Sequence, residues 1–268
     1  MTKDPAEAVK WYRKAAEQNF PQAQDNLGRC YLNGEGVAKD QAEAVKWFRK
    51  AAEQNLATAQ YGLGFCYSNG YSVTRDDAEA VKWYRKAAEQ GLDDAQFKLG
   101  IFYGKGEGVA KDLVEAVKWY RKAAEQNHAQ ANDTVGHCYE NGEGVGKDLV
   151  EAAKWYRKAA ELNHPLASYT VGHCYEKGEG VEKDPVEAAK WYRKAAELND
   201  SSGQFSLGLC YDTGEGVAKD PVEAYKWWLL AAKQDSKLAK ENLPMLEKKL
   251  TPAQIADGQK RAREFKPR

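Results

Sequence analysis

The chain has 268 residues, and its 40 lysines and arginines balance 40 aspartates and glutamates, so it carries no formal net charge. Neutrality argues weakly against unspecific nucleic-acid and anionic-membrane binding, both of which rest on positive potential, and no apolar run approaches the roughly 18–20 residues of a membrane helix. Hydrophobic residues at 43% and charged ones at 30% suit a buried core with a large wetted surface.

The amino terminus, MTKDPAEAVKWY, is polar and has no apolar signal core. It starts in the middle of a repeat, which reads as an imposed boundary from which any native export signal is missing. Residues 21–33, PQAQDNLGRCYLN, predict the first complete helix of a pair, helix A. Ala23, Leu27, Cys30 and Tyr31 fall at i, i+4, i+7 and i+8 and form one buried stripe. Gly28 stands inside this helix at a cost of about 1 kcal/mol against alanine, so a neighbouring backbone or a large tryptophan is expected to come close there. In the loop NGEGVAKD the glycines suit positive φ, and Val37 can plug the space between helices.

Helix B follows as DQAEAVKWFRKAAEQN, residues 40–55. Asp40 reads as its N-cap, and Glu43 three residues on gives an Asp-x-x-Glu form of the capping box. Pro5, Pro185 and Pro221 stand directly after the caps of other copies, where a missing N–H costs little. Ala44, Trp47, Phe48, Ala51 and Ala52 make an apolar face. Glu43, Lys46, Arg49, Lys50 and Glu53 cover the other, with Glu43–Lys46 and Arg49–Glu53 spaced to pair. Asn55, Gly91, Asn127, Asn163 and Asn199 occupy the place of a left-handed C-cap.

This A–B unit recurs without insertion. Trp11, Trp47, Trp83, Trp119, Trp155, Trp191 and Trp227 are 36 residues apart, and Gly28 and Tyr31 repeat at the same interval. A half repeat, 1–19, is followed by full repeats 20–55, 56–91, 92–127, 128–163, 164–199 and 200–235. Two short helices cannot bury both faces alone, whereas stacked pairs can. The expected fold is therefore all-α, a solenoid of 36-residue helix-turn-helix repeats with about 15 helices. The array runs to residue 250. Its degenerate last helix, 236–250, has Pro244 in place of the repeat glycine and is expected to kink or break. Residues 251–268 read as a capping helix and tail, with Thr251 as N-cap, Pro252 at N1 and Gln254 at N3.

Ala23, Leu27, Gly28, Tyr31, Gly34, Gly36, Val37, Asp40, Ala44, Trp47, Lys50, Ala51 and Ala52 together resemble the Sel1-like repeat, a relative of the tetratricopeptide repeat. The resemblance covers nearly the whole chain. It implies a right-handed α/α superhelix that serves as an adaptor or scaffold, with no enzyme activity and no fixed partner. The second full repeat departs from it: Tyr71 and Ser72 replace the usual Glu and Gly, so its loop is expected to be distorted. Secreted cysteine-rich members carry a disulfide within each repeat. Here Cys30, Cys66, Cys138, Cys174 and Cys210 occur once per repeat, and Phe102 replaces the cysteine in the third full repeat. Equivalent helices about 8–10 Å apart exceed the roughly 7 Å Cα limit of a disulfide, so these read as small buried hydrophobes compatible with a reducing compartment.

Positions that never change cannot discriminate between partners. On helix A the face opposite the core stripe holds positions equivalent to 22, 25, 29 and 32. Position 25 reads Asp25, Tyr61, Phe97, Asp133, Tyr169 and Phe205; position 29 reads Arg29, Phe65, Ile101, His137, His173 and Leu209. Each pair is i, i+4 and forms one patch. In the resembled family helix A lines the concave surface, which makes these twelve the expected partner-binding residues. Tyr61, Phe65, Phe97 and Ile101 would form an exposed apolar cluster; packing inside the superhelix is the alternative.

His137 and His173 each precede a cysteine, but neighbours on a helix do not converge on a metal. The tryptophan ladder falls on the apolar face and reads as core rather than a nucleic-acid stacking platform. No phosphate-loop, nucleophile-elbow or zinc-protease pattern is present. The expected function is a non-enzymatic scaffold that binds a protein or peptide through the helix A surface, without cofactor, metal, nucleic acid or membrane, and as a monomer. The alternatives are a structural or self-associating, consensus-like array and, less favoured, a hydrolase-like enzyme.

Overall fold

The computed structural model describes residues 4–267; the first three residues of the half repeat and the last residue of the tail lie outside the described residues. Among these, the structure is all-helical with no strand, and it divides at Gln126/Asn127 into two compact units. The first holds α1 Pro5–Glu17, α2 Pro21–Asn33, α3 Gln41–Glu53, α4 Ala57–Asn69, α5 Asp77–Glu89, α6 Asp93–Lys105 and α7 Leu113–Glu125. The second holds α8 Ala129–Asn141, α9 Leu149–Glu161, α10 Pro165–Lys177, α11 Pro185–Glu197, α12 Ser201–Thr213, α13 Pro221–Lys233, α14 Lys237–Glu247 and α15 Pro252–Glu264. Even numbers up to α12 are helix A, odd numbers up to α13 helix B. Within each unit a helix packs chiefly on its neighbours in sequence, as in a solenoid.

Local chemistry sets these boundaries. Asp40 accepts from the Ala42 and Glu43 amides, and Asp148, Asp184 and Asp220 cap their helices in the same way. The reciprocal half of the expected capping box is not made. The Asp40 amide donates instead to the Tyr31 carbonyl, and Glu43 is taken by Lys46 Nζ at 2.8 Å and Trp47 Nε1 at 3.0 Å. Arg49 likewise passes over Glu53 and donates to the Tyr67 hydroxyl at 3.0 Å, tying helix B to the next helix A. Asn55, Asn127, Asn163 and Asn199 hold φ between 63° and 66° after their helices. Ser72 also adopts positive φ, 49°. The loop at Tyr71–Ser72 therefore keeps the common turn, and Tyr71 packs edge-on against Phe65 at 5.6 Å.

The repeat glycine is explained by helix B, though not by the expected backbone or, in most copies, by the tryptophan. A Cβ at Gly28 would lie 2.8 Å from the Phe48 ring, and at Gly100, Gly136 and Gly172 within 2.5–2.6 Å of Tyr120, Tyr156 and Tyr192. In the last repeat alone the ring is a tryptophan, Trp228 at 2.4 Å from Gly208. The residue after the ladder tryptophan is thus the deepest aromatic, and Phe48, Tyr84, Tyr156, Tyr192 and Trp228 are nearly inaccessible. The ladder itself is uneven. Trp47, Trp119 and Trp227 are buried, Trp83, Trp155 and Trp191 half-buried, and Trp11 is 62% exposed. Trp47 packs on Val9 and Ala16 of α1 and Ala23, Leu27 and Cys30 of α2, a side that is open at Trp11 in the first helix.

A polar ladder adds to this core. Gln24 Nε2 donates to the Ala16 carbonyl at 3.2 Å, and Gln54 Nε2 donates to Gln24 Oε1 at 2.7 Å, so one amide links three successive helices. Gln60 with Gln90 and Gln204 with Gln234 repeat it. Cys30, Cys66, Cys138 and Cys174 are buried as expected, Cys210 only partly, and burial pushes the Cys66 thiol up to about 12.

The last helices differ from the expected break. α14 continues through Pro244 to Glu247, with Ala239 and Leu246 packed on either side of the proline. Thr251 and Gln254 form a complete capping box at the start of α15. α15 then folds back on α13: Arg261 meets Glu223 at 2.8 Å, and Phe265 stands edge-on to Trp227 at 5.3 Å.

Candidate partner surface on helix A

Each helix A presents its variable positions in rows, and the rows differ in depth. Position 25 is the inner row. Tyr61 lies on Tyr84 at 5.5 Å, Phe97 on Tyr120 at 5.6 Å, Tyr169 on Tyr192 at 5.7 Å and Phe205 on Trp228 at 5.9 Å. Each therefore covers the deep aromatic of its own helix B. Phe97, at 6% exposed, and the aspartates Asp25 and Asp133, at 5% and 6%, depart from the expected exposed face, because at this angle the side chain reaches the A–B seam. Tyr61, Tyr169 and Phe205 are half-buried.

Position 29, one turn on, is the outer row. Arg29 and Leu209 are exposed, and Phe65, Ile101, His137 and His173 are half-buried. The apolar quartet of the first unit is thus divided: Phe65 and Ile101 are reachable, Tyr61 partly so, and Phe97 belongs to the core.

The two buried aspartates pair with the outer row. Arg29 Nε stands 3.3 Å from Asp25 Oδ2, which also accepts from the Thr58 hydroxyl at 3.0 Å. His137 Nε2 stands 3.6 Å from Asp133 Oδ2. Burial raises the pKa of both carboxyls. Arg29 and Thr58 oppose the rise at Asp25, and His164 and His137 oppose it at Asp133. Oδ1 of each remains without a donor.

Position 32 is matched to the helix B aromatic. Phe48 has no hydroxyl, and its partner repeat carries Leu32. The Tyr84 hydroxyl is 3.3 Å from the Ser68 hydroxyl; Tyr156 donates to Glu140 Oε2 at 2.7 Å and Tyr192 to Glu176 Oε2 at 2.5 Å. These carboxylates hold both phenols well above their ordinary pKa, after burial as the larger cause. At Glu176 burial pushes the carboxyl up, but hydrogen bonds from Lys177 and Tyr192 outweigh it and the net shift is downward. Sequence reasoning placed position 32 on the variable face but missed its pairing with the helix B aromatic, and it missed the amide ladder, although the 36-residue recurrence of Gln24, Gln60, Gln96 and Gln204 and the tyrosine hydroxyls were visible signals. Leu166, 46% exposed at position 22, is a further apolar side chain on the face.

No group of three or more metal-ligating side chains occurs among the described residues. No helix among them is long and apolar enough to cross a membrane.

The Sel1 repeat model matches seven consecutive segments, 1–20, 21–56, 57–92, 93–128, 130–164, 165–200 and 201–236. A Sel1 repeat protein from Oxalobacter formigenes is 37% identical, covers 91% of this chain and 70% of its own, and superposes with a TM-score of 0.82. A protective antigen present in uropathogenic Escherichia coli strains, described as having the SLR fold, is 30% identical over 98% of this chain and 80% of its own, with a TM-score of 0.54. No curated protein matches significantly. With its repeats matched in series and its fold shared with such a relative, the chain belongs to the Sel1 repeat family.

Proposed function

We propose that this protein is a non-enzymatic scaffold that binds a protein or peptide partner through the variable face of its A helices. Sel1 repeat proteins generally serve as interaction scaffolds, which fits the coarser reading. The observation that carries the finer one is the outer row. At one repeat position of the A helices stand Arg29, Phe65 and Ile101 in the first unit and His137, His173 and Leu209 in the second, five residue types in six copies. Within each unit the stacked helices hold these side chains at fixed intervals before a partner arrives, so little ordering cost remains at binding. Phe65 and Ile101 supply the apolar anchor that interface hot spots commonly use.

The test is cross-linking affinity capture with the whole chain, comparing wild type with Phe65→Ala/Ile101→Ala. The expected result is a partner captured by wild type and lost from a variant whose melting temperature stays within a few degrees. Undiminished capture by the variant contradicts the reading. Phe97→Ala is unsuitable as a reporter: it removes a core ring and is expected to cost about 3–5 kcal/mol.

A further inference from the structure

We propose that the cleft between α10, α11 and α12 receives a lysine or arginine side chain of the partner, so that the second unit's helix A face selects a basic segment. The proposal rests on the helix A face being the partner surface. A cleft of about 50 Å³ opens there, walled by Tyr192, Leu209 and Cys210 and rimmed by Glu176 and Glu215. Apolar walls below paired carboxylates complement a side chain with an aliphatic stem and a cationic head.

The carboxylates are built in. The Tyr192 hydroxyl donates to Glu176 Oε2 at 2.5 Å, and one repeat earlier Tyr156 donates to Glu140 Oε2 at 2.7 Å. Lys177 Nζ approaches Glu176 Oε1 at 2.6 Å, but its side chain is 51% exposed. Surface pairs of this type contribute about 0–1 kcal/mol, so an incoming cation displaces Lys177 at small cost.

Charge is segregated here in a chain that is neutral overall. Across positions 22, 25, 29 and 32 of α8, α10 and α12 stand Asp133, Glu140, Glu176 and Asp212, and the only bases are His137 and His173. The same positions of α2, α4 and α6 carry Asp25, Asp94 and Arg29, and position 32 there, Leu32, Ser68 and Gly104, is uncharged. Leu166 and Leu209, 46% and 43% exposed, lie among the carboxylates, so the complementary segment is basic and apolar. Packed helices lie about 8–10 Å apart and an extended chain advances about 3.3–3.6 Å per residue. Cations about three residues apart therefore meet Glu140 and Glu176 in successive repeats.

The experiment is fluorescence anisotropy of the full chain with a labelled peptide bearing arginine at every third position and leucine and glycine between. The comparison is the same peptide with glutamate for arginine. The arginine peptide is expected to bind at least about ten-fold more tightly and to weaken as salt screens the pair. Glu140→Gln/Glu176→Gln should weaken it about ten-fold, as should Leu209→Ala to a smaller extent, while Glu161→Gln, exposed at the end of α9, leaves it unchanged. Circular dichroism melts confirm that the variants fold. Equal affinity for both peptides, no binding of either, or wild-type affinity in the double variant overturns the proposal. Loss of partner capture in Phe65→Ala/Ile101→Ala would still stand in those cases, so the two readings fail separately.

Discussion

A single glycine shows how tightly helix A and helix B are matched. At Gly100 a Cβ would lie 2.5 Å from the Tyr120 ring, whereas at Gly104, one turn later, the nearest atom is the Tyr120 hydroxyl at 3.3 Å. Gly100→Ala gains about 1 kcal/mol of helix propensity but overpacks a seam where such insertions cost about 1–3 kcal/mol, so urea denaturation should show net destabilisation. Gly104→Ala in the same helix should be neutral or stabilising; the reverse order would refute the assignment of the deep aromatic. A second residue-scale prediction concerns Asp133. Burial raises its pKa above the unfolded value. Below about pH 3.9, the unfolded value, both states are protonated and the residue carries no penalty. As pH rises toward the folded pKa the unfolded chain ionises first, and stability is lost. Asp133→Asn should therefore raise the melting temperature more at pH 8 than at pH 4. An equal shift at both would show that the carboxyl is not held against ionisation.

At the scale of helices, the ladder tryptophans divide by burial. Trp119 is 6% exposed and Trp11 62%. Trp119→Ala is expected to cost about 3–5 kcal/mol as a core truncation, and Trp11→Ala less than about 1 kcal/mol, measured by chemical denaturation; comparable costs would mean that burial does not set the ladder's role. The helices themselves were legible from the sequence. Aspartate caps, asparagine C-caps and apolar spacing predicted elements whose observed bounds agree to within a residue or two, because each signal acts inside one turn of backbone. What each face meets was less legible. Helical spacing gives an angle around the axis, not the depth of the seam. Position 25 was therefore assigned with position 29 to one exposed patch, although Phe97 and Asp133 turn inward. The Tyr156–Glu140 and Tyr192–Glu176 bonds join residues 16 apart on different helices. Their partnership follows from tertiary packing that no local pattern encodes.

For the whole molecule, the repeat separates two tasks. Helix B repeats almost unchanged because each copy fills the same glycine-lined seam and caps the same turn for its neighbour. Helix A varies in both places: at buried positions, where Gln24 gives way to Asn132 and Ser168 and Leu27 to Val135 and Val171, and where its side chains leave that seam. Neutral overall charge conceals a local asymmetry: an apolar outer row at Phe65 and Ile101 in the first unit, and carboxylates held by tyrosines in the second. A scaffold reading places recognition on those rows and leaves the exposed valines of helix B, Val150 and Val186, about half accessible, outside the contact. Hydroxyl-radical footprinting of the chain with and without its captured partner tests this most directly. The account predicts protection of Phe65, Ile101 and Leu209 with Val150 and Val186 unchanged. Protection of the helix B valines, with the helix A row still fully oxidised, would contradict it.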